Sequence, residues 1–165
     1  MAEIINNYLS PSNFAISIAR IPNVEFFTQK ITIPSITSTA VEIDTPLAAI
    51  YMEQDKLQYG DLELSFIVDE NMNNYKEILN WMEGLGFPES TKQYGDIKAT
   101  SDGQHSDITL TVTNSHKNPN LLFKFTNCFP TALGSIDFDI NVQDVAYATC
   151  SVTMRYDTMK MEQLS

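Results

Sequence analysis

The sequence predicts a mainly β protein: two packed antiparallel sheets, or a barrel-like equivalent, with one flanking α-helix and a long protruding loop. Three observations carry that prediction. Apolar and polar residues alternate in segment after segment, a single segment repeats at helical spacing, and the connections are short or marked by Gly and Pro. Alternation puts successive side chains on opposite faces, as in a strand with one buried and one wet face.

The alternating segments follow in chain order. Phe14, Ile16 and Ile18 interleave with Ala15, Ser17 and Ala19, and Phe27, Ile31 and Ile33 extend the pattern to Pro34. Leu62, Leu64, Phe66 and Val68 alternate with Asp61, Glu63, Ser65 and Asp69; only Ile67 is out of step. Ile108, Leu110 and Val112 are separated by threonines, and Phe123, Phe125 and Phe129 by Lys124, Thr126 and Cys128. Ile136, Phe138, Ile140 and Val142 alternate with Ser135, Asp137, Asp139 and Asn141. The last run is Ala148, Cys150, Val152, Met154 and Tyr156. Thr, Val, Ile and Phe suit a pleated surface. Ala132-Leu133-Gly134 reads as a short hairpin connection.

The helix is expected from Met72 to Leu85. Met72, Tyr75, Ile78, Leu79, Met82 and Leu85 form an apolar stripe with Trp81 beside it. Asp69 or Asn71 is placed to cap its start, and Gly84, Gly86 and Pro88 to end it. Residues 89–106 read as a long polar loop. Residues 37–59 read as a protruding hairpin or extended loop with an apolar patch at Leu47, Ile50, Tyr51 and Met52. A loop of that length in a small domain is usually functional, and its apolar patch points to burial against another chain.

The 165 residues fit one domain with a sizeable core. Residues 1–11 and 158–165 are expected to be an arm and a tail, mobile or used in assembly. The opening residues lack the charge and apolar pattern of a secretory signal, and no run approaches a membrane span. Cys128 and Cys150 read as two buried thiols in a reducing compartment. The net charge of −11 opposes binding to nucleic acid or to an anionic membrane.

Catalytic signatures are missing. There is no P-loop, dinucleotide-binding glycine motif, zinc-binding HExxH or serine elbow. His105 and His116 stand in polar stretches without ligand spacing, so no metal or cofactor site is expected. The pairs Asp61/Glu63, Asp69/Glu70 and Asp137/Asp139 could serve a carboxylate hydrolase only inside an enclosed cleft. A wet acidic strand face accounts for them more simply. Lys124 and Arg155 lie singly on wet faces, where pairing with acids is expected, and Trp81 is expected in the core.

The closing third runs Phe123-Lys124-Phe125, then Phe129-Pro130-Thr131, then the acidic alternation around Asp137 and Asp139, and ends on a strand closing at Tyr156. Upstream, Leu62–Val68 leads through Asp69-Glu70 into a helix with Trp81, and Asn13-Phe14 and Ile33-Pro34 fit the opening strands. In order and spacing, residues 12 to 157 resemble the tail tube proteins of T4-like contractile-tailed phages, the myoviruses. The loop 89–106 and the end after Asp157 match nothing in that pattern.

The resemblance implies a non-enzymatic virion protein without cofactors. It implies a homo-hexameric ring that stacks into a hollow tube, with a β-barrel around the lumen. The inter-ring loop would be 37–59, anchored by Leu47, Ile50, Tyr51 and Met52. Asp137 and Asp139 would be lumen acids that let DNA pass during ejection without binding. Implied partners are the tail sheath, the baseplate tube initiator, the tape measure and the tail terminator, in a tail assembled in the host cytoplasm, with no membrane. Other roles on the same fold are a baseplate tube initiator or the tube of a related injection or type VI secretion machine. A monomeric binding domain is a further alternative from the residues alone.

Overall fold

The computed structural model describes residues 8–52, 56–86, 92, 95, 103–140 and 147–164. The strands are β1 (Phe14–Ile18), β2 (Thr28–Thr32), β3 (Ile36–Thr37), β4 (Val41–Asp44), β5 (Ala49–Met52), β6 (Gln58–Tyr59), β7 (Leu62–Ile67), β8 (Ser106–Thr113), β9 (Pro119–Leu133), β10 (Thr149–Arg155) and β11 (Thr158–Gln163). Helix α1 (Pro22–Phe27) lies between β1 and β2, and α2 (Asn73–Gly86) follows β7.

Seven strands form one antiparallel system in the order β1-β8-β9-β10-β7-β2, with β11 also on β9. The long strand β9 is the hinge. Up to Cys128 it pairs with β8 on one edge and β11 on the other; from Phe129 it pairs with β10. Strands β10 and β11 run along the same edge of β9 and are interrupted only at Tyr156-Asp157. Two four-stranded halves thus share β9. Their inward residues, among them Ile18, Leu64, Phe66, Ile108, Leu110, Phe125, Val152 and Met154, make one buried core. The described sheet leaves β1, β2 and β11 as open edges and does not close into a barrel.

The bend in β9 has a local cause. Asn127 takes a left-handed φ of 55°. That conformation crowds the Cβ of most L-residues, and Asn tolerates it better than bulkier side chains. Its N–H donates to Asp107 Oδ1 at 3.0 Å, and its Nδ2 donates to Asp157 Oδ2 at 2.7 Å. The extra residue lets β9 leave the β8 ladder and join β10. Pro130, buried inside the strand, sits beside the register shift at Met154, where a missing N–H is tolerated.

Helix α1 was not expected from the sequence. Pro22 sits at its start, where its fixed φ suits a helix, and Glu25 Oε2 reaches back to accept from the Ile18 N–H at 2.8 Å. Helix α2 matches its predicted span. The junction into it is built by buried Asn74, whose Oδ1 accepts from the Asp69 and Tyr75 N–H groups while its Nδ2 donates to the Ile67 carbonyl. Trp81 lies in the core, as predicted. Its indole N–H donates to the Gln104 carbonyl at 3.0 Å, and the Arg20 guanidinium lies 4.9 Å from the ring centroid.

Three expectations change. The alternation around Asp137 and Asp139 forms no strand in residues 134–140. A strand needs a partner to satisfy its backbone, and β10 is already held between β9 and β7. Ala132-Leu133-Gly134 is not a hairpin turn, since Ala132 and Leu133 still pair with β10. Residues 158–163, expected within a tail, form β11 on the edge of β9. Most of the predicted loop 89–106 and the stretch 141–146 lie outside the described residues.

Candidate assembly surface

Strands β2 and β7 pair in the sheet, and two further antiparallel pairs follow from the same two chain segments, β3 with β6 and then β4 with β5. The described residues 33–52 and 56–57 therefore belong to an antiparallel arm, the hairpin alternative of the two expected from the sequence. From Thr37 to the tip at Thr45, ~3.3 Å per residue gives a reach of roughly 25 Å. The tip is a tight turn in which the Thr45 N–H donates to the Ala48 carbonyl at 3.3 Å.

Register decides what the arm presents. Val41 faces Met52 and Ile43 faces Ile50, while Glu42 faces Tyr51 and Asp44 faces Ala49. Directly opposed residues share a face. One face of the tip is therefore wholly apolar: Val41, Ile43, Ile50 and Met52. The other holds Glu42, Asp44 and Tyr51. Leu47 stands at the turn and is 98% exposed. Of the four residues named from sequence, Ile50 and Met52 lie on the apolar face, Tyr51 on the opposite one and Leu47 at the apex. Val41 and Ile43 were missed, although the period-two pattern in Val41-Glu42-Ile43-Asp44 signals them. All eight residues of β4 and β5 are exposed, so the ribbon has no core of its own.

Asp137 and Asp139 are both exposed on the connection that leaves β9. Phe138 beside them is 81% exposed and Ile140 98%. Tyr147, just before β10, is 71% exposed. Phe138 and Ile140 were expected on the buried face of a strand; they are on the surface.

The remaining polar groups give no reaction centre. Asp61 pairs with Arg155, and Lys124 with Glu162 at 2.9 Å, in line with the expected role of both cations. Such exposed pairs contribute little to stability. A cleft of about 670 Å³ at the base of the arm is lined by Ser35, Gln58, Tyr59, Arg155 and Tyr156. Tyr156 is buried and its hydroxyl has no hydrogen-bond partner. Burial raises its pKa, with the nearby Tyr59 adding to the shift. The cleft is open to solvent and does not enclose paired carboxylates. Cys128 and Cys150 are free and buried. Burial pushes the Cys128 thiol up to about 12, and the same cause raises Cys150. Among the described residues no group of metal-ligating side chains gathers, and no helix is long and apolar enough to cross a membrane.

The family model described as phage tail tube protein matches residues 4–162. The chain belongs to that family. Its members are structural tube proteins, so the chain is a structural protein and not an enzyme. Among curated proteins no sequence matches at a significant level.

Solved tube-machine structures share the fold. A chain from the tube-terminating cap of the anti-feeding prophage superposes with a TM-score of 0.63 at 17% identity, covering 99% of this chain and 97% of that one. A chain from the sheath–tube complex of an extracellular contractile injection system, PVC, in its extended state gives 0.63 at 19% identity, covering 97% and 95%. A chain from the anti-feeding prophage baseplate gives 0.61 at 14% identity, covering 98% and 97%. At these identities the likeness shows the fold. The tail tube assignment rests on the family match.

Proposed function

We propose that this chain is the repeating subunit of a contractile phage tail tube, in which hexameric rings stack head to tail around a conduit for DNA ejection into the host. The observation that carries the reading is the family match over residues 4–162. The open edges β1, β2 and β11 support ring formation, because unpaired strand edges can be satisfied by joining sheets across subunits into a shared barrel. The arm supports stacking: Leu47, Ile50, Tyr51 and Met52, with Val41 and Ile43, would be covered by the next ring.

Asp137 and Asp139 remain our candidates for the lumen. Both are exposed, and no Lys or Arg occurs between Lys124 and Arg155. A wall of that character repels phosphate, so DNA passes without binding. The sheath, a baseplate initiator, a tape-measure protein and a terminator would be the partners, in a virion tail assembled in the host cytoplasm. A second reading, a cap or initiator ring or the tube of a related injection system, is favoured by the equal likeness to cap and tube chains.

Negative-stain electron microscopy of the purified protein over a range of concentrations tests the proposal. Hollow tubes or stacked rings support the tube subunit, and isolated rings the cap or initiator. A monomer at every concentration refutes both. Ile50→Asp should leave the monomer fold intact, since the residue touches no core, and should abolish stacking. Tubes of normal length from that variant would exclude the arm as the inter-ring contact.

A further inference from the structure

One half of the sheet is built so that it can repeat from copy to copy. It runs β1-β8-β9-β11, and every pairing in it is antiparallel. With an even number of strands, the two outer ones point in opposite directions. Strand β11 of one copy therefore meets β1 of another as one more antiparallel neighbour.

The hydrogen-bonding phase of the two edges agrees. In an antiparallel ladder a residue turns its N–H and C=O to the same side, and alternate residues turn to opposite sides. The Thr113 N–H donates to the Asn13 carbonyl at 3.0 Å. Ala15 and Ser17 are thus turned to β8, and Phe14, Ile16 and Ile18 to the open side. The Ile18 N–H is already taken by Glu25 Oε2. On β11, the Leu164 N–H donates to the Asn120 carbonyl at 2.8 Å. Lys160 and Glu162 are thus turned to β9, and Met159, Met161 and Gln163 to the open side. Side chains match as well. Ile16 opposes buried Leu110 and Met161 opposes buried Phe123, so both outward-bonding sets lie on the core face. Met161 is still 64% exposed, because no strand lies beyond it.

We infer that β11 of one copy pairs antiparallel with Phe14–Ile16 of β1 in the next copy around the ring. The inference rests on the ring reading and names the edges that join. The other half has guarded edges: β2 carries a bulge between Thr28 and Lys30 and runs into Pro34, and the end of β9 carries Pro130 beside the shift at Met154. Strands β1 and β11 hold an unbroken register with their inner neighbours. A β1 strand laid on β11 brings apolar residues beside Met161 and covers it. Since Glu25 closes Ile18, the registers that satisfy both Phe14 and Ile16 within β11 place Ile16 opposite Met161 or opposite Met159. Such a join exchanges about four backbone bonds, little for two free copies. A closed ring holds each copy at both edges and gains by avidity. The joined edges differ, so the contact is heterologous and closes into a ring.

The test is Lys160→Cys in the full-length chain, combined with Ser17→Cys for the first register and with Ala15→Cys for the second. Each pair would lie on the wet face with Cα atoms about 4.5 Å apart. All three positions are exposed and the native thiols are buried. On oxidation, at least one double variant should give covalent multimers that stop at the ring's subunit number counted by electron microscopy, and the single variants none. Multimers from Lys160→Cys alone would mean β11 pairing with β11 and overturn the inference. Rings or tubes without covalent multimers from either double variant would also overturn it, as would multimers from Lys30→Cys/Ala132→Cys, which joins the other half. Hydrogen exchange on the wild type needs no variant: assembly should slow the amides of Ile16 and Met161, and unchanged exchange there in assembled rings refutes the join. In each of these cases the ring reading survives. A wild type that stays monomeric at every concentration overturns the ring reading and the join together.

Discussion

Asn127 is the residue on which the shared strand turns, and a graded series there tests that account. Replacement by Val places a β-branched side chain at a φ of 55°. The left-handed region costs an ordinary L-residue roughly 1–2 kcal/mol. The side-chain bond to Asp157 is also lost; because Asn127 is exposed, about 1 kcal/mol is the proper figure for it. Asn127→Val should therefore destabilise by roughly 2–3 kcal/mol. Asn127→Gly keeps the backbone freedom and loses only the bond, so it should cost about 1 kcal/mol, as should Asp157→Ala. The double variant Asn127→Gly/Asp157→Ala should cost little more than either alone. Urea unfolding on an Ile50→Asp background, where the proposed arm contact predicts a monomer, measures these values with the slope as a check on two-state behaviour. If Val and Gly prove equally destabilising, left-handed strain is not what Asn127 relieves.

Asn74→Ala should be among the most damaging single changes, by roughly 2–4 kcal/mol. It strands the Asp69 N–H and the Ile67 carbonyl at a buried junction; an equilibrium melt within 1 kcal/mol of wild type would contradict this. The Cys128 thiol ionises near 9 when unfolded and near 12 when folded. The folded state then holds the extra proton between those values, and the thiol's contribution to stability falls as pH rises from 9 to 12. The stability gap between wild type and Cys128→Ala should narrow across that window, and a constant gap would refute the burial argument. Native protein at pH 8 should resist alkylation at both cysteines until it unfolds, read by intact mass.

Strands β7 and β8 were legible because one face of each meets the core and the other meets water. Leu62, Leu64 and Phe66, and Ile108, Leu110 and Val112, are buried in strict alternation. The same pattern misled at Phe138 and Ile140. Alternation records that two faces differ; it does not say that a neighbouring strand exists to cover the apolar one. Helix α1 was illegible because six residues are under two turns and show no period. Strand β11 reads Thr-Met-Lys-Met-Glu-Gln, with only Met159 half-buried, since an edge strand over a rim has little apolar face to display. For the arm, the patch at Leu47–Met52 was visible, but its pairing with Val41 and Ile43 depends on where the turn falls. The turn at Thr45 and Ala48 sets which residues oppose which.

The arm's lack of a core also bears on how growth begins. A two-stranded ribbon standing alone is marginal in water. Its amides should exchange with solvent almost as freely as those of a chain end, while those of β7 and β10 wait for global opening. On the proposed stacking, affinity for the next ring would be scaled by the fraction of time the ribbon is closed. Two free subunits would meet with that handicap at a single contact and part again. A completed ring would offer several contacts in register, so the next subunits would close their ribbons against it together. Elongation from an existing end would then outrun the formation of new ends, and the number of tubes would be set by how many starting platforms are supplied, not by how much subunit is made.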